Sequence, residues 1–262
     1  MFSEKKIIKL AKLKQKTIVF PEAGYSDRIV EAGYLLNKKR IAKVIFLGDE
    51  SSLVLRYKDK LKGITIINPK TSTLFDELLN IFLEKRKNKG LDKKQAEKLL
   101  LNPLYFGTLL VEAGYADGMV AGAEEPSANV IRPALQILKS KNEKEIVSSF
   151  MMFYGKGKVF KKRNVILGSD CGLNVNPSAE ELSQIAIQTA KSYELFTDKK
   201  AKIAMLSYST NGSSTGDSVD KVKTATALVK RKKFDVYGEV QLDSAISKRV
   251  SDIKCPSWSL DG

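Results

Sequence analysis

The sequence contains no histidine among its 262 residues. This absence excludes every catalytic arrangement in which histidine activates a serine or cysteine, and every metal site that needs an imidazole ligand. The two cysteines, Cys171 and Cys255, are too few for a disulfide framework or a zinc site of four thiolates. Any chemistry must therefore use carboxylates, arginines, lysines, hydroxyls, tyrosines or backbone amides, and we expect no metal.

Long apolar runs are also missing, and none approaches the roughly 18 residues that a membrane-spanning helix needs. With 43% hydrophobic and 29% charged residues spread along the chain, the composition is typical of a soluble globular protein, and we expect a cytoplasmic one. The first sixteen residues are basic and amphipathic, with Ile7, Leu10 and Leu13 on one helical face. They favour a surface helix docked on the core, and a membrane-surface or targeting helix is the alternative.

Arginine is scarce for so basic a chain. The net charge is +15, but only 8 of the 45 basic residues are arginine and the rest are lysine. Proteins that read nucleic acids tend to use arginine for bidentate contacts to bases and phosphates. A lysine excess is typical of solvated surfaces, so we expect no nucleic-acid binding and keep a lysine-rich nucleic-acid binder as an alternative. A few well-placed arginines suit small anionic ligands such as phosphates better.

Short β-rich runs alternate with longer stretches of helical periodicity, which is the signature of a mainly parallel sheet covered by helices. The predicted strands are 17–22, 43–48, 64–69, 117–122, 148–155, 164–169, 202–209 and an extended segment over 235–243. The predicted helices are 26–40, 72–87, 92–101, 104–115, one beginning near Asn129, 178–194 and 218–231. For the helix at 178–194, Ser178 followed by Glu181 predicts a capping box. The fold class is therefore α/β.

A polar, charged run at 139–145 predicts a boundary between two α/β domains, 1–143 and 144–262. In open α/β sheets, ligands bind at the carboxyl ends of the strands. The loops after residues 122, 169 and 209 are therefore the places where a ligand site is expected.

The loop after residue 122 leads into a helix that carries Arg132 and Pro133. Because proline is tolerated in the first turn of a helix, Pro133 predicts a helix start near Asn129 or Val130 and places Arg132 in that first turn. A cation there opposes the helix dipole, so an anion between Arg132 and the free backbone N–H groups is a good explanation. The alternatives are that Arg132 contacts a nearby carboxylate or points to water.

The loops after residues 169 and 209 each carry polar side chains. The segment LSYSTNGSSTGDS (206–218) combines hydroxyls with Gly212 and Gly216, and it is interpreted either as a phosphate-binding loop or as a plain polar connector. In GSDCGLNVNP (168–177), Cys171 is more easily understood as a small packed residue than as a nucleophile, since no histidine exists to activate it. Asp170 and Asn174 are expected to fix the turn.

Several stretches together resemble a known family. They are FPEAGYSDRI (20–29), NPLYFGTLLVEAGYADGMVAGA (102–123), IRPALQILK (131–139), SDCGLNVNPSAEELSQIAIQTA (169–190), AMLSYSTNGS (204–213) and GEVQLDSAI (238–246). They look like the phosphate acetyltransferase family, of which phosphate butyryltransferase is a close relative. The resemblance runs in consistent order from about residue 17 to residue 250.

The resemblance implies reversible transfer of an acetyl group between acetyl phosphate and coenzyme A, and so a role in acetate metabolism. It implies two three-layer α/β domains with mainly parallel sheets, an interdomain cleft and a homodimer. Coenzyme A is a substrate, and no permanently bound cofactor is expected. Arg86 and Arg132 match arginines that the family associates with coenzyme A. The acyl phosphate site is expected at the following residues: Ser127, Tyr208, Ser209, Thr210, Gly212 and Ser213.

The sequence departs from the family pattern at two places. Residues 125–129 (EPSAN) replace a His-Ser/Thr-Thr-Ala-Asp-like run, so Glu125 could repel phosphate or neutralise Arg132. Past residue 254, the family pattern continues with a segment that supplies a serine, an arginine and a catalytic aspartate, whereas this chain reads KCPSWSLDG. The resemblance thus implies that the last elements are missing and leaves the catalytic residues unassigned, and we expect weak or no activity. Phosphate butyryltransferase, a non-catalytic coenzyme A-binding remnant and a partner-binding module are the alternatives.

Overall fold

The structure, a computed structural model, describes residues 4–138, 145–155, 165–256 and 258. By their contacts, the residues divide into two compact units, one over Glu4–Lys139 and one over Ser140–Gly262 with Met1–Ser3. The predicted domain boundary between residues 143 and 144 lies outside the described residues.

The first unit is built on a four-stranded parallel sheet with the strand order β3-β2-β1-β4. Its strands are β1 (Lys16–Phe20), β2 (Ala42–Leu47), β3 (Thr65–Ile67) and β4 (Gly118–Met119). Each of the four lies within a segment predicted from the sequence or within one residue of it. The all-parallel pairing confirms the α/β class for this unit.

Helices cover both faces of this sheet. They are α2 (Asp27–Lys38), α3 (Glu50–Tyr57), α4 (Phe75–Arg86), α5 (Lys93–Leu100), α6 (Pro103–Glu112) and α7 (Ser127–Ile137), and a further helix, α1 (Glu4–Leu13), precedes β1. Because side chains alternate along a strand, Val19 packs with residues of α4 to α7 on one face, whereas Phe20 packs with α2 and α3 on the other. The unit therefore has the predicted three layers, and only α3 has no counterpart among the predicted elements.

The helix that carries Arg132 begins earlier than predicted. Helix α7 starts at Ser127, so Pro133 lies in its interior and Arg132 is in the second turn. The prediction that Arg132 lies in the first turn, where a cation opposes the helix dipole, is therefore wrong. A proline inside a helix costs about 3 kcal/mol, and the burial of Pro133 and Ile137 against the neighbouring helices offsets that cost.

The amphipathic N-terminal segment is helical, as predicted, but no residue of α1 is buried. Leu10 and Leu13 remain 55% and 72% exposed. The expectation that this helix docks its apolar face on the core is therefore wrong. None of the helices in the described residues is both long and apolar enough to cross a bilayer.

The second unit contains two separate two-stranded sheets in its described part. Strands β5 (Met151–Tyr154) and β6 (Val165–Gly168) pair antiparallel, and β7 (Lys202–Leu206) pairs parallel with β8 (Asp235–Val240). Its helices are α8 (Ala179–Thr197), α9 (Asp217–Arg231), α10 (Leu242–Ile246) and α11 (Lys248–Lys254). The predicted mainly parallel pairing is found at β7–β8, and the extended segment predicted to residue 243 ends at Val240.

The start of α8 confirms the predicted capping box. The Ser178 hydroxyl accepts a hydrogen bond from the Glu181 backbone N–H at 3.2 Å, and the Glu181 carboxylate accepts one from the Ser178 N–H at 2.8 Å. Two N–H groups that a helix start leaves without partners are thereby satisfied. The helix then packs on α9 and also contacts β7.

Candidate functional site

Arg86 and Arg132 of the first unit both lie close enough to one buried tyrosine, Tyr105, for their charges to act on its hydroxyl. Tyr105 of α6 packs its ring against Phe82 of α4, with 5.6 Å between ring centroids, and its hydroxyl donates to Gln136 Oε1 of α7 at 2.9 Å. Phe82 and Gln136 each lie four residues from an arginine, Arg86 and Arg132 respectively, and residues four apart share a helix face. Both guanidinium groups are thereby brought to the side of the unit where Tyr105 lies.

The electrostatics of Tyr105 agree with this geometry. Burial raises the pKa of the Tyr105 hydroxyl, while the positive charges of Arg132 and then Arg86 act in the opposite direction. Neither guanidinium makes a hydrogen bond or an ion pair with any residue in the described part of the chain. Two cations that act on the same buried hydroxyl and have no acidic partner among the described residues form a local positive field that can attract a multiply charged anion.

Ser127 is the first residue of α7 and is exposed. Glu125, two residues earlier, accepts hydrogen bonds from the Tyr25 hydroxyl at 3.2 Å and from Asn129 Nδ2 at 2.9 Å. These contacts hold Glu125 to the loop, and it makes no ion pair with Arg132 in the described residues. The neutralisation of Arg132 that the sequence suggested is therefore not the arrangement in this structure.

The loop between β4 and α7 closes on a buried carboxylate that the sequence reasoning missed. Glu22, in the 3-10 turn Pro21–Gly24 after β1, is fully buried. Its carboxylate accepts four backbone hydrogen bonds in a row, from residues 122, 123, 124 and 125, at 2.6, 3.1, 2.8 and 2.9 Å. Gly122 has φ +97°, a conformation that favours glycine. We call residues 122–125 the amide cradle.

Further charges surround the amide cradle. Burial alone raises the pKa of Glu22, but the four backbone hydrogen bonds outweigh it, so the pKa lies below its ordinary value and the carboxylate stays ionised. Burial and then the charge of Glu125 raise the pKa of Tyr25, which keeps its hydroxyl protonated. Arg28 pairs with Glu124 at 2.9 Å at the surface. The cradle is thus a fully partnered structure.

In the second unit, the loop after β7 is also built around a buried glutamate. Glu239 of β8 is 3% exposed and accepts hydrogen bonds from Ser209 Oγ at 3.0 Å and from the Gly212 N–H at 2.7 Å. The Lys223 ammonium lies 4.0 Å from the same carboxylate. Burial raises the pKa of Glu239, but the hydrogen bonds and this cation outweigh it, so the pKa is lowered.

The predicted residues of this loop fall into two groups. Ser209 and Thr210 are 0% and 4% exposed, and the Thr210 hydroxyl lies 3.1 Å from Gln241 Oε1 and accepts from the Gln241 N–H at 2.9 Å. By contrast, Tyr208, Gly212 and Ser213 are exposed. The buried pair shapes the loop, and the exposed three can reach a ligand.

The loop after β6 confirms one prediction and corrects another. The Asp170 carboxylate accepts from the Gly172 and Leu173 N–H groups, both at 2.9 Å, and from Asn174 Nδ2 at 2.6 Å, so these side chains fix the turn. Cys171 is exposed, with its Sγ 3.1 Å from the Gly168 carbonyl oxygen. The expected packing of Cys171 at the strand end is therefore wrong. No cluster of three or more potential metal ligands occurs in the ranges that the structure describes.

The sequence matches a known family almost from end to end. The family described as phosphate acetyl/butaryl transferase matches residues 2–262. The chain belongs to this family. The phosphate acetyltransferase of Thermoanaerobacterium thermosaccharolyticum is 38% identical over 263 residues, which cover 98% of this chain and 79% of that protein. The phosphate acetyltransferase of Acetivibrio thermocellus is 39% identical over 259 residues, with 98% and 78% covered.

Solved structures of phosphotransacetylases share the fold. The EutD phosphotransacetylase from Staphylococcus aureus superposes with a TM-score of 0.81 at 36% identity and covers 98% of this chain and 79% of that one. A phosphotransacetylase from Streptococcus pyogenes gives a TM-score of 0.83 at 35% identity, with 97% and 78% covered. The membership of the family expected from the sequence motifs is thus confirmed.

The residues singled out for this family are divided between the two units. Arg86, Ser127 and Arg132 belong to the first unit, and Tyr208 to Ser213 belong to the second. The sequence reasoning missed Tyr105, Glu22 and Glu239, which hold these residues in place. Both glutamates carried a signal, since each is an acidic residue inside a predicted strand, but the partners of Glu22 lie about 100 residues away in the sequence.

Replacing Tyr105 with phenylalanine is expected to lower the free energy of unfolding by about 1 kcal/mol, because it removes the hydrogen bond that joins α6 to α7. Urea unfolding followed by circular dichroism measures the change. Tyr115→Phe is the matched control, because the Tyr115 hydroxyl bonds to Glu77 at the surface, where water replaces it. Equal stability of the two variants would show that the Tyr105 hydroxyl does not hold the helices together.

Proposed function

We propose that this chain transfers an acetyl group between acetyl phosphate and coenzyme A. Its family membership and the names of its relatives support this reaction. The observation that carries the proposal is that Arg86 and Arg132 both act electrostatically on Tyr105, with no carboxylate of the described residues paired to either guanidinium. Coenzyme A carries several phosphate groups, and guanidinium groups bind phosphates through charge-assisted hydrogen bonds.

The reaction needs three things from the protein. The thiol must be presented as a thiolate, which is a small fraction of a thiol of pKa about 8.5 at neutral pH. The acyl carbonyl oxygen needs hydrogen-bond donors as its negative charge develops, and the phosphate leaving group needs donors or positive charge. None of these steps requires histidine, so the amino-acid composition is compatible with direct attack of coenzyme A on acetyl phosphate.

The loop after β7 supplies groups for the acyl phosphate. Tyr208, Gly212 and Ser213 are exposed there, and the Ser213 hydroxyl accepts from the Thr210 N–H and keeps its own proton to donate to a phosphate oxygen. The Gly212 N–H and the Tyr208 hydroxyl already donate within the protein, to Glu239 and to the Thr215 carbonyl oxygen. In this proposal Ser209 and Thr210 act indirectly, because their buried hydroxyls already bond to groups at the end of β8 and just after it. Ser127 lies at the start of α7, where free backbone N–H groups favour an anion.

Formation of acetyl-coenzyme A from acetyl phosphate, followed in a thioester assay, tests the reaction. Turnover supports the proposal, and faster turnover with butyryl phosphate would favour the butyryltransferase alternative. Calorimetry with coenzyme A is run in parallel. Binding without turnover would favour a non-catalytic coenzyme A-binding protein, and the absence of both contradicts the proposal.

Removal of the two arginines is expected to weaken coenzyme A binding. Arg86→Ala and Arg132→Ala should each raise the Kd for coenzyme A about 10- to 100-fold, since a hydrogen bond to a charged group contributes about 1.5–3 kcal/mol. Calorimetry measures the constants. Arg56→Ala is the control, because Arg56 is an arginine of the same unit that pairs with Asp27 at 2.6 Å. A Kd that stays unchanged in both test variants would contradict the assignment.

The proposed homodimer can be measured independently of activity. Light scattering on the purified chain gives its molar mass, and a value near twice 29.1 kDa supports the dimer. A value near 29.1 kDa across the concentration range would contradict it.

A further inference from the structure

The amide cradle has the geometry of an anion-binding site that is already filled. Four consecutive backbone N–H groups that point at one centre form a concavity that binds anions in many proteins. Here the anion is the carboxylate of Glu22, which the fold delivers from the 3-10 turn after β1. The cradle follows β4 at the carboxyl end of a parallel sheet, where open α/β folds bind their ligands.

The buried charge of Glu22 is stabilised by this arrangement. An isolated carboxylate in a protein interior is costly unless hydrogen bonds replace its water. Glu22 is fully buried and receives four such bonds, two on each oxygen atom. Because all four donors belong to one short loop, the carboxylate fixes the backbone path of the whole loop and not only the position of one residue.

The amide cradle leads directly into α7. The residue that caps this helix is Pro126, and no side chain makes a capping hydrogen bond there. Helix starts without a capping side chain leave their first N–H groups to other partners and are more easily distorted. The position of the first turn of α7 therefore depends on residues 122–125, which Glu22 holds.

We propose that Glu22 is a positioning residue for coenzyme A binding, an internal anion that fixes the amide cradle and, through it, Ser127 and Arg132 of α7. The inference rests on the proposed function only in the choice of coenzyme A as the probe. Glu22 itself does not contact the substrate. Its effect reaches the ligand through the backbone.

Three variants test this role. Glu22→Ala empties the amide cradle, Glu22→Gln keeps the side-chain shape but places an amide N–H₂ against backbone donors, and Glu31→Gln is the control. Glu31 lies nearby in the chain and pairs with Lys60 at the surface, so its change removes the same charge without touching the cradle. Coenzyme A affinity is measured by calorimetry, and KM and kcat by the thioester assay.

We expect Glu22→Ala to raise the Kd for coenzyme A at least 10-fold and Glu22→Gln to raise it less, with Glu31→Gln within twofold of the unaltered chain. In the thioester assay the KM for coenzyme A should rise more than kcat falls. Sodium formate should restore affinity and melting temperature in Glu22→Ala alone, because a small carboxylate can refill the amide cradle. Sodium chloride at equal ionic strength controls for salt.

Two results would overturn the inference: a Kd for coenzyme A in Glu22→Ala within twofold of the unaltered chain, or a loss of affinity that formate does not reduce. If the proposed function is wrong, the measurement differs in another way, because the unaltered chain itself then binds no coenzyme A. In that case the formate-dependent rise in the melting temperature of Glu22→Ala still tests whether Glu22 fills the amide cradle. No such rise would overturn that part as well.

Discussion

Replacing Glu239 with alanine is expected to lower the free energy of unfolding by about 3 kcal/mol, because two charge-assisted hydrogen bonds to a buried carboxylate are lost and their donors lose this acceptor. The donors are the Ser209 hydroxyl and the Gly212 N–H. The loop that carries Tyr208 and Ser213 then loses its central support, so the KM for acetyl phosphate should rise together with the loss of stability.

Urea unfolding followed by tryptophan fluorescence measures this effect. Trp258 is the only tryptophan and lies 5.5 Å from the Tyr237 ring of β8, so its emission reports on the second unit. Asp252→Ala is the matched control, because Asp252 pairs with Lys248 on the surface of the same unit, and such pairs contribute less than about 1 kcal/mol. If Glu239→Ala and Asp252→Ala unfold at the same urea concentration, the role given to Glu239 is wrong.

Acid is expected to destabilise the chain sharply below about pH 4.5. For Glu22, Asp170 and Glu239, burial raises the pKa but the hydrogen bonds lower it further, so each pKa lies below the ordinary values of 4.5 for glutamate and 3.8 for aspartate. The folded chain therefore binds fewer protons than the unfolded chain in this range. The stability that these groups contribute is present above the unfolded values and is lost as the pH falls through the folded values.

Urea midpoints measured from about pH 7 to about pH 3 give the slope of stability against pH. Glu239→Gln should be less stable than the unaltered chain at neutral pH and should lose less stability on acidification, because one of the three carboxylates no longer takes up a proton. Asp252→Asn should follow the unaltered chain. A flat profile below pH 4.5 in the unaltered chain would contradict the assignment of buried, ionised carboxylates.

Local patterns predicted most of the fold. The strands β1, β2 and β3 and the capping box at Ser178 follow from β-rich runs and from a four-residue signal, both of which can be read within a short window. Helix α3 was missed because its sequence, ESSLVLRY, contains a run typical of a strand and only Leu53 is buried. The Asp49 side chain, which accepts from the Ser52 N–H at 2.9 Å, was the available signal for its start.

Packing between distant elements explains the other differences. The rule that proline is tolerated in the first turn of a helix predicted that α7 begins near Asn129 or Val130. The helix begins at Ser127 instead, because the burial of Pro133 in the core offsets the cost of a proline in the helix interior. Leu10 and Leu13 predicted docking from periodicity, yet a pattern on one helix cannot specify a partner surface.

Only part of the candidate site was predicted from the sequence, because contacts between distant elements hold the rest of it. Motifs marked the residues proposed to meet the ligand, whereas the supporting contacts join Glu22 to residues 122–125 and Glu239 to Ser209. Such contacts appear in no local window of the sequence.

All four hydrogen bonds that the amide cradle donates to the Glu22 carboxylate come from backbone N–H groups, and none comes from a side chain. Every amino acid except proline has this N–H group, so substitutions at positions 123, 124 and 125 can retain the hydrogen bonds to Glu22. Replacing the Glu124 or Glu125 side chain with that of any residue except proline therefore leaves the four hydrogen bonds to Glu22 available, and the loop can keep its shape.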